Sequence, residues 1–139
     1  MAYDAQNVFA RILRRELPAH VVFEDEASFA FLDVMPQSLG HTLVIPKYPS
    51  ANLLEVDPAI LAATIVNVQR VARAVSAVFQ PPGVMIAQLN GAVAGQTVFH
   101  LHFHVIPRYD GPDFEIRARD RAGDAVLAAQ AARLRAALA

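Results

Sequence analysis

From Val98 to Ile106 the chain alternates, with His100, His102 and His104 at every second position among Phe99, Leu101, Phe103 and Val105. An extended strand sends successive side chains to opposite faces. The pattern therefore predicts one strand with three imidazoles projecting from one face about 6.5 Å apart and an apolar face behind them. Five histidines exist in the whole chain. Crowding three of them unpaired on one face costs a sheet stability unless they are put to use.

The rest of the composition bounds what that use can be. With 139 residues, 55% hydrophobic and 18% charged, the chain reads as one globular domain over 1–139, with a core at about 7–110 and a C-terminal helical extension at about 118–139. Twelve basic against thirteen acidic residues give no overall field to attract nucleic acid or an anionic membrane, so neither is expected as a partner. Any anionic substrate must be held by local groups. The absence of cysteine excludes disulfides and thiolate metal sites and fits a reducing compartment. Met1 to Leu13 has no signal-peptide pattern and no apolar run reaches eighteen residues, so a soluble cytoplasmic protein is expected.

Periodicity gives the order of elements. Asn7 to Glu16 carries Val8, Phe9, Ile12 and Leu13 at helical spacing and stops near Pro18. Val21–Glu24 and Ser28–Leu32 read as a hairpin across Asp25-Glu26. A Pro36–Gly40 loop then leads to a strand from His41 to Ile45, closed by Pro46. Asp57-Pro58 starts a long helix, because aspartate caps free amides and proline is tolerated in the first turn. Its apolar arc runs from Ile60, Leu61 and Ile65 through Val68, Val71, Ala72 and Val75 to Val78 and Phe79, before Pro81-Pro82-Gly83. Val84–Leu89 is the next strand, and the loop Asn90–Gly95 returns the chain to the histidines. An alanine-rich helix with Val126, Leu127, Leu134 and Leu138 closes the chain from about Asp120.

Two kinds of chemistry suit the histidine row. Neutral imidazole ligates zinc, and residues two apart on a strand can share an ion, but the first and third lie about 13 Å apart on an ideal strand. A metal site would therefore need His41 or a distant carboxylate. The alternative is nucleophilic catalysis by the middle imidazole, kept neutral by the like charge of its neighbours. Gly95-Gln96-Thr97 beside it offers an amide, a hydroxyl and backbone donors for a phosphate.

The run His100-Leu101-His102-Phe103-His104-Val105-Ile106, preceded by Gly95-Gln96-Thr97-Val98, resembles the signature of the histidine triad superfamily. Asn7–Ile12, Val22–Glu26, Ala30–Asp33 and His41–Lys47 resemble landmarks of its nucleotide-binding hydrolase branches. The resemblance implies a histidine-triad fold of the α+β class. Its parts are a five-stranded antiparallel sheet, one long helix, a short N-terminal helix and a C-terminal helix, paired in a homodimer. It implies a purine nucleotide or nucleotide conjugate as substrate, no cofactor and no catalytic metal. By resemblance His102 is the nucleophile toward an α-phosphorus and His104 donates to that phosphate. His100 and His41 complete a hydrogen-bonded network. Gln96, Thr97 and Asn90 contact phosphate or leaving group, Asp33 accepts the ribose hydroxyls, and Phe9, Ile12, Phe31, Val34 and Leu43 wall the base and sugar.

The chain also departs from the pattern. Where some bacterial relatives carry a zinc-binding Cys-x-x-Cys pair it has Asn7 and Ala10, so structural zinc is not expected. Tyr48-Pro49 replaces a histidine that often follows the Pro-Lys step, tryptophan is absent, and about twenty helix-prone residues are added at the end. The expected activity is purine nucleoside phosphoramidase. Dinucleoside polyphosphate hydrolysis, and a nucleotide-binding interaction protein with incidental hydrolysis that works through its C-terminal helix, are the alternatives.

Overall fold

The computed structural model describes residues 2–111, 116 and 119–139. Its elements follow the predicted order: α1 (Val8–Leu13), β1 (Val21–Glu24), β2 (Ser28–Leu32), β3 (Thr42–Pro46), α2 (Pro58–Phe79), β4 (Gly83–Ala87), β5 (Phe103–Arg108) and α3 (Asp124–Leu138). A short 3-10 turn at Ala92–Ala94 lies in the loop before β5. The strands form one antiparallel sheet in the order β1-β2-β3-β5-β4. The expected start of the C-terminal extension at Ala118 lies outside the described residues.

Both faces of this sheet are covered. Along β2, Ala30 and Leu32 face a core shared with Val68, Val71 and Val75 of α2 and Leu127, Ala131 and Leu134 of α3. Phe29 and Phe31 face a second cluster with Phe9 and Ile12 of α1 and Leu43 and Ile45 of β3. The period of two sorts the residues, and two apolar layers make β2 buried throughout.

Helix α2 starts as predicted. The Asp57 carboxylate accepts the Ala59 amide, proline occupies the first turn, and the helix ends in a left-handed Gln80. Its buried face departs from the simple apolar arc. Thr64 and Asn67 are buried while Ile65 and Val66 are exposed. Asn67 earns its place by donating to Asp25 at 2.9 Å and Ser28 at 3.0 Å, which ties the helix to the β1–β2 turn. In α3 the buried residues are Leu127, Ala131 and Leu134, and Val126 is exposed. That apolar face is packed on α2 and β1 of its own chain.

The strand carrying the histidines is shorter than the alternation suggests. β5 begins at Phe103, so His100 and His102 lie in an irregular lead-in. The Leu101 amide donates to the Ser50 carbonyl at 2.7 Å. That bond takes the backbone out of the sheet ladder. Leu101, Phe103 and Val105 nevertheless all enter the α2 core, so the alternation reports the facing of side chains correctly and overstates the strand.

One loop end is fixed by glycine. Gly40 has φ +91, and an added Cβ would lie 2.7 Å from Cδ2 of Phe79. Its amide donates to Oε1 of Gln130 in α3 at 3.2 Å, and the Ala122 amide donates to the Val34 carbonyl at 2.8 Å. The C-terminal helix and the segment leading into it thereby brace the β2–β3 loop that carries Asp33 and His41.

Candidate active site

At the end of the β2–β3 pair, Asp33 follows the last residue of β2 and His41 precedes the first of β3. Their backbones meet through the Asp33 amide and His41 carbonyl at 3.0 Å. His104 pairs with Leu43 on one side and Ala87 on the other. The strand ladder therefore sets one carboxylate and two imidazoles side by side. His102 follows from the lead-in, its ring 5.1 Å from that of His104 and edge-on to Phe9 at 4.9 Å.

Asp33, His102 and His104 open on a cavity of about 260 Å³ lined also by Phe9, Ile12, Phe31, Val34, Leu43 and Thr97. Nine of the predicted site residues thus share one wall. Val8, Pro18, Ala19, Leu32, Met35 and Val98 also line it; they are small or apolar residues whose local pattern marks them only as helix, strand or turn. A wider, more open depression of about 450 Å³ next to Arg15, Glu16 and Leu17 contains no histidine, so the histidines open on the smaller cavity.

Four predicted residues lie off that wall. His100 is fully buried, with its ring against Tyr3 and the Pro46 carbonyl. The expected flush row of three imidazoles is corrected to two at the cavity and one behind it, because the chain has not yet joined the sheet at His100. His41 sits behind His104. Gln96 is buried, its Oε1 accepting the Gly91 amide and its Nε2 donating to the Ala51 and Val98 carbonyls. Asn90 exchanges two hydrogen bonds with Gln88 and accepts the Leu53 amide. Both amides are engaged with the chain itself, Asn90 keeping one N–H of its Nδ2 without a described partner.

Obligatory donors and acceptors fix the proton positions on His41, His104 and His102. The Gln37 amide can only donate, so Nδ1 of His41 accepts it at 2.9 Å and Nε2 carries the hydrogen. That hydrogen goes to Nδ1 of His104 at 3.0 Å, which leaves His104 with an Nε2–H. The His100 carbonyl can only accept, so Nδ1 of His102 donates to it at 2.7 Å. Nε2 of His102 then holds a lone pair for which no described residue is a donor.

Burial keeps all four rings neutral. It pushes His41 down from 6.5 to about 3, and His100 and His104 to about 4, with the charge of neighbouring imidazoles adding to the shift. His102 is also lowered by burial, opposed by its bond to the His100 carbonyl. Desolvation, rather than the like charge of neighbours expected from the sequence, is the main cause. Asp33 moves the other way, raised by burial to about 6 and held back by the Met35 amide.

Asp33, His41 and His104 have the spacing of a metal site, their ligand atoms lying within 4.8 Å of one another. The proton positions do not fit a metal. The one lone pair of neutral His41 already takes the Gln37 amide, and the nitrogen facing His104 and Asp33 carries hydrogen. His41 instead donates to His104 from behind the cavity wall, with the Asp33 carboxylate 3.6 Å from the same nitrogen.

Comparison with known proteins places this geometry in a family. Residues 14–111 match the HIT domain model, and the chain belongs to the HIT, or histidine triad, family. A Hit-like protein from Bartonella henselae is 46% identical with a TM-score of 0.91, covering 99% of this chain and 100% of that one. A hypothetical histidine triad nucleotide-binding protein from Sulfolobus tokodaii is 36% identical, with a TM-score of 0.86 over 94% of this chain and 90% of its own. The adenosine 5′-monophosphoramidase of Saccharomyces cerevisiae is 36% identical over 77% of this chain and 65% of its own length. Among the described residues no helix is long and apolar enough to cross a membrane.

Proposed function

We propose that the protein is a nucleotidyl hydrolase that cleaves the α-phosphate bond of a purine nucleoside phosphoramidate or related conjugate through an intermediate on His102. The free lone pair on Nε2 of His102, facing an apolar cavity beside the Nε2–H of His104, carries this reading. The yeast relative's named activity supports it.

In this reading Phe9, Ile12, Phe31, Val34 and Leu43 hold the base and sugar, and Asp33 accepts the ribose hydroxyls through its Oδ2. Nε2 of His102 attacks the α-phosphorus while the bond to the leaving nitrogen breaks, and the amine departs with a proton taken from solvent. His104 donates its Nε2–H to a non-bridging oxygen, where charge gathers. Water then attacks the same phosphorus and returns the electron pair to His102, giving a nucleoside monophosphate. Thr97 lies at the leaving-group end. Gln96 and Asn90 act through the loops they brace.

Turnover of adenosine 5′-phosphoramidate, its pyrimidine counterpart and a dinucleoside polyphosphate tests this directly. The expected result is at least about tenfold higher kcat/KM for the purine phosphoramidate, a protonatable leaving group needing little help. Faster cleavage of the polyphosphate would refute the substrate assignment.

The reading includes a homodimer. β4 is bonded to β5 alone among the described strands and carries the exposed Ile86, and Ile65 and Val66 of α2 are exposed as well. Light scattering is expected at twice the 15.1 kDa chain mass; a monomer at micromolar concentration would contradict it.

A further inference from the structure

The N-terminal segment places one side chain against the buried histidine. The Tyr3 hydroxyl lies 2.6 Å from Nδ1 of His100, and the rings meet edge-on at 5.7 Å. On its other side, Nε2 of His100 is 2.8 Å from the Pro46 carbonyl. A carbonyl only accepts, so Nε2 carries the hydrogen, Nδ1 holds the lone pair, and the Tyr3 O–H donates to it. Tyr3 is held in turn by a turn at Asp4, whose carbonyl accepts Asn7 backbone and side-chain donors and whose Oδ1 accepts the Gln6 amide. Arg14 adds a bond to the Ala5 carbonyl at 2.6 Å.

We propose that Tyr3 is a positioning residue for His102: it fixes the tautomer and seat of His100, whose carbonyl in turn orients the nucleophile by accepting its Nδ1–H. This rests on the reading of His102 as nucleophile. The chain of contacts is Tyr3 O–H to the His100 ring, His100 carbonyl to His102, and His102 to the cavity. Without the hydroxyl, a fully buried ring nitrogen loses its donor. His100 then regains a partner only by turning or by admitting a water to that nitrogen, and either disturbs the carbonyl that holds His102. The titratable groups facing His100 are Tyr3 and His102, while Asp4 and Arg14 face Tyr3.

Tyr3→Phe isolates the effect, because it keeps the ring contact and removes one donor. Nitrogen-detected NMR of the substrate-free protein is expected to show wild-type His100 neutral and Nε2-protonated down to about pH 5, and the variant titrating closer to the ordinary histidine value. At pH 6 the variant's kcat is expected to fall about five- to tenfold with KM within twofold. The deficit should narrow at pH 8, with a melting temperature close to wild type. A lower melting temperature with unchanged His100 titration and unchanged pH profile would reduce Tyr3 to packing and overturn the proposal. The imidazole spectrum needs no substrate. Wild-type protein inert toward every nucleotide would therefore sink the reaction reading, while an unchanged or shifted His100 tautomer would still decide Tyr3's hold on that ring.

Discussion

His102→Ala is expected to reduce kcat on the preferred nucleotide by about a thousandfold or more, with KM changed by less than a few-fold. The asymmetry follows from where the ring stands. In the proposed reading the walls that hold base and sugar belong to other residues, so binding survives, while the one unspent imidazole lone pair among the described residues of the cavity is gone. The fold should persist, since the substitution leaves one buried acceptor, the His100 carbonyl, without its donor, a loss of about 1–3 kcal/mol. By contrast His104→Ala should cost about a hundredfold, the scale of one oxyanion donor. Steady-state kinetics with thermal melts on both variants separate the roles. Equal losses at the two positions would mean that His102 acts as a donor, not as the attacking group.

A second large effect is acid sensitivity well above the range where carboxylates titrate. Folded His41 binds a proton only near pH 3, and His100 and His104 near 4, whereas in the unfolded chain all three bind one near 6.5. Between those values the unfolded state holds more protons, so each ring's stability contribution is complete above pH 6.5 and is lost as pH falls toward 4. Asp33 works in the opposite sense. Its folded value, about 6 against 3.8, lets the native state bind the extra proton and gain stability as pH falls through 6. Three rings outweigh one carboxyl. The net expectation is a loss of several kcal/mol between pH 6.5 and 4.5, at about 1.4 kcal/mol per pKa unit. Against a typical domain stability of about 5–15 kcal/mol this is enough to unfold the protein. Urea midpoints at pH 7.5, 6 and 5 check it, and equal midpoints would show that the rings are not neutral when folded.

How much of this could be read from the chain depends on the range of the interactions. Helix α2 was legible at its start because Asp57-Pro58 is a local capping signal. The facing of the histidine run follows from a period of two, which survives even where the ladder does not, whereas the wall residues Phe31 and Leu43 were expected from the family resemblance. The late start of β5 was hidden, since it depends on a bond from Leu101 to Ser50, fifty-one positions away, that no local pattern encodes. The same holds for Gln96 and Asn90. Their residue type suits a phosphate, yet Gln96 holds backbone groups brought near by folding, and Asn90 holds the distant Leu53 amide and its neighbour Gln88. Tyr3 carried no signal at all, because a lone tyrosine near a terminus says nothing about a histidine ninety-seven residues on.

The central claim is that Nε2 of His102 bonds to phosphorus during turnover. Intact-mass spectrometry after rapid mixing with adenosine 5′-phosphoramidate, followed by peptide mapping at alkaline pH, measures it. The account predicts a transient gain of one adenylyl group located on His102. An adduct on any other residue, or full turnover by a His102→Ala chain, would contradict it.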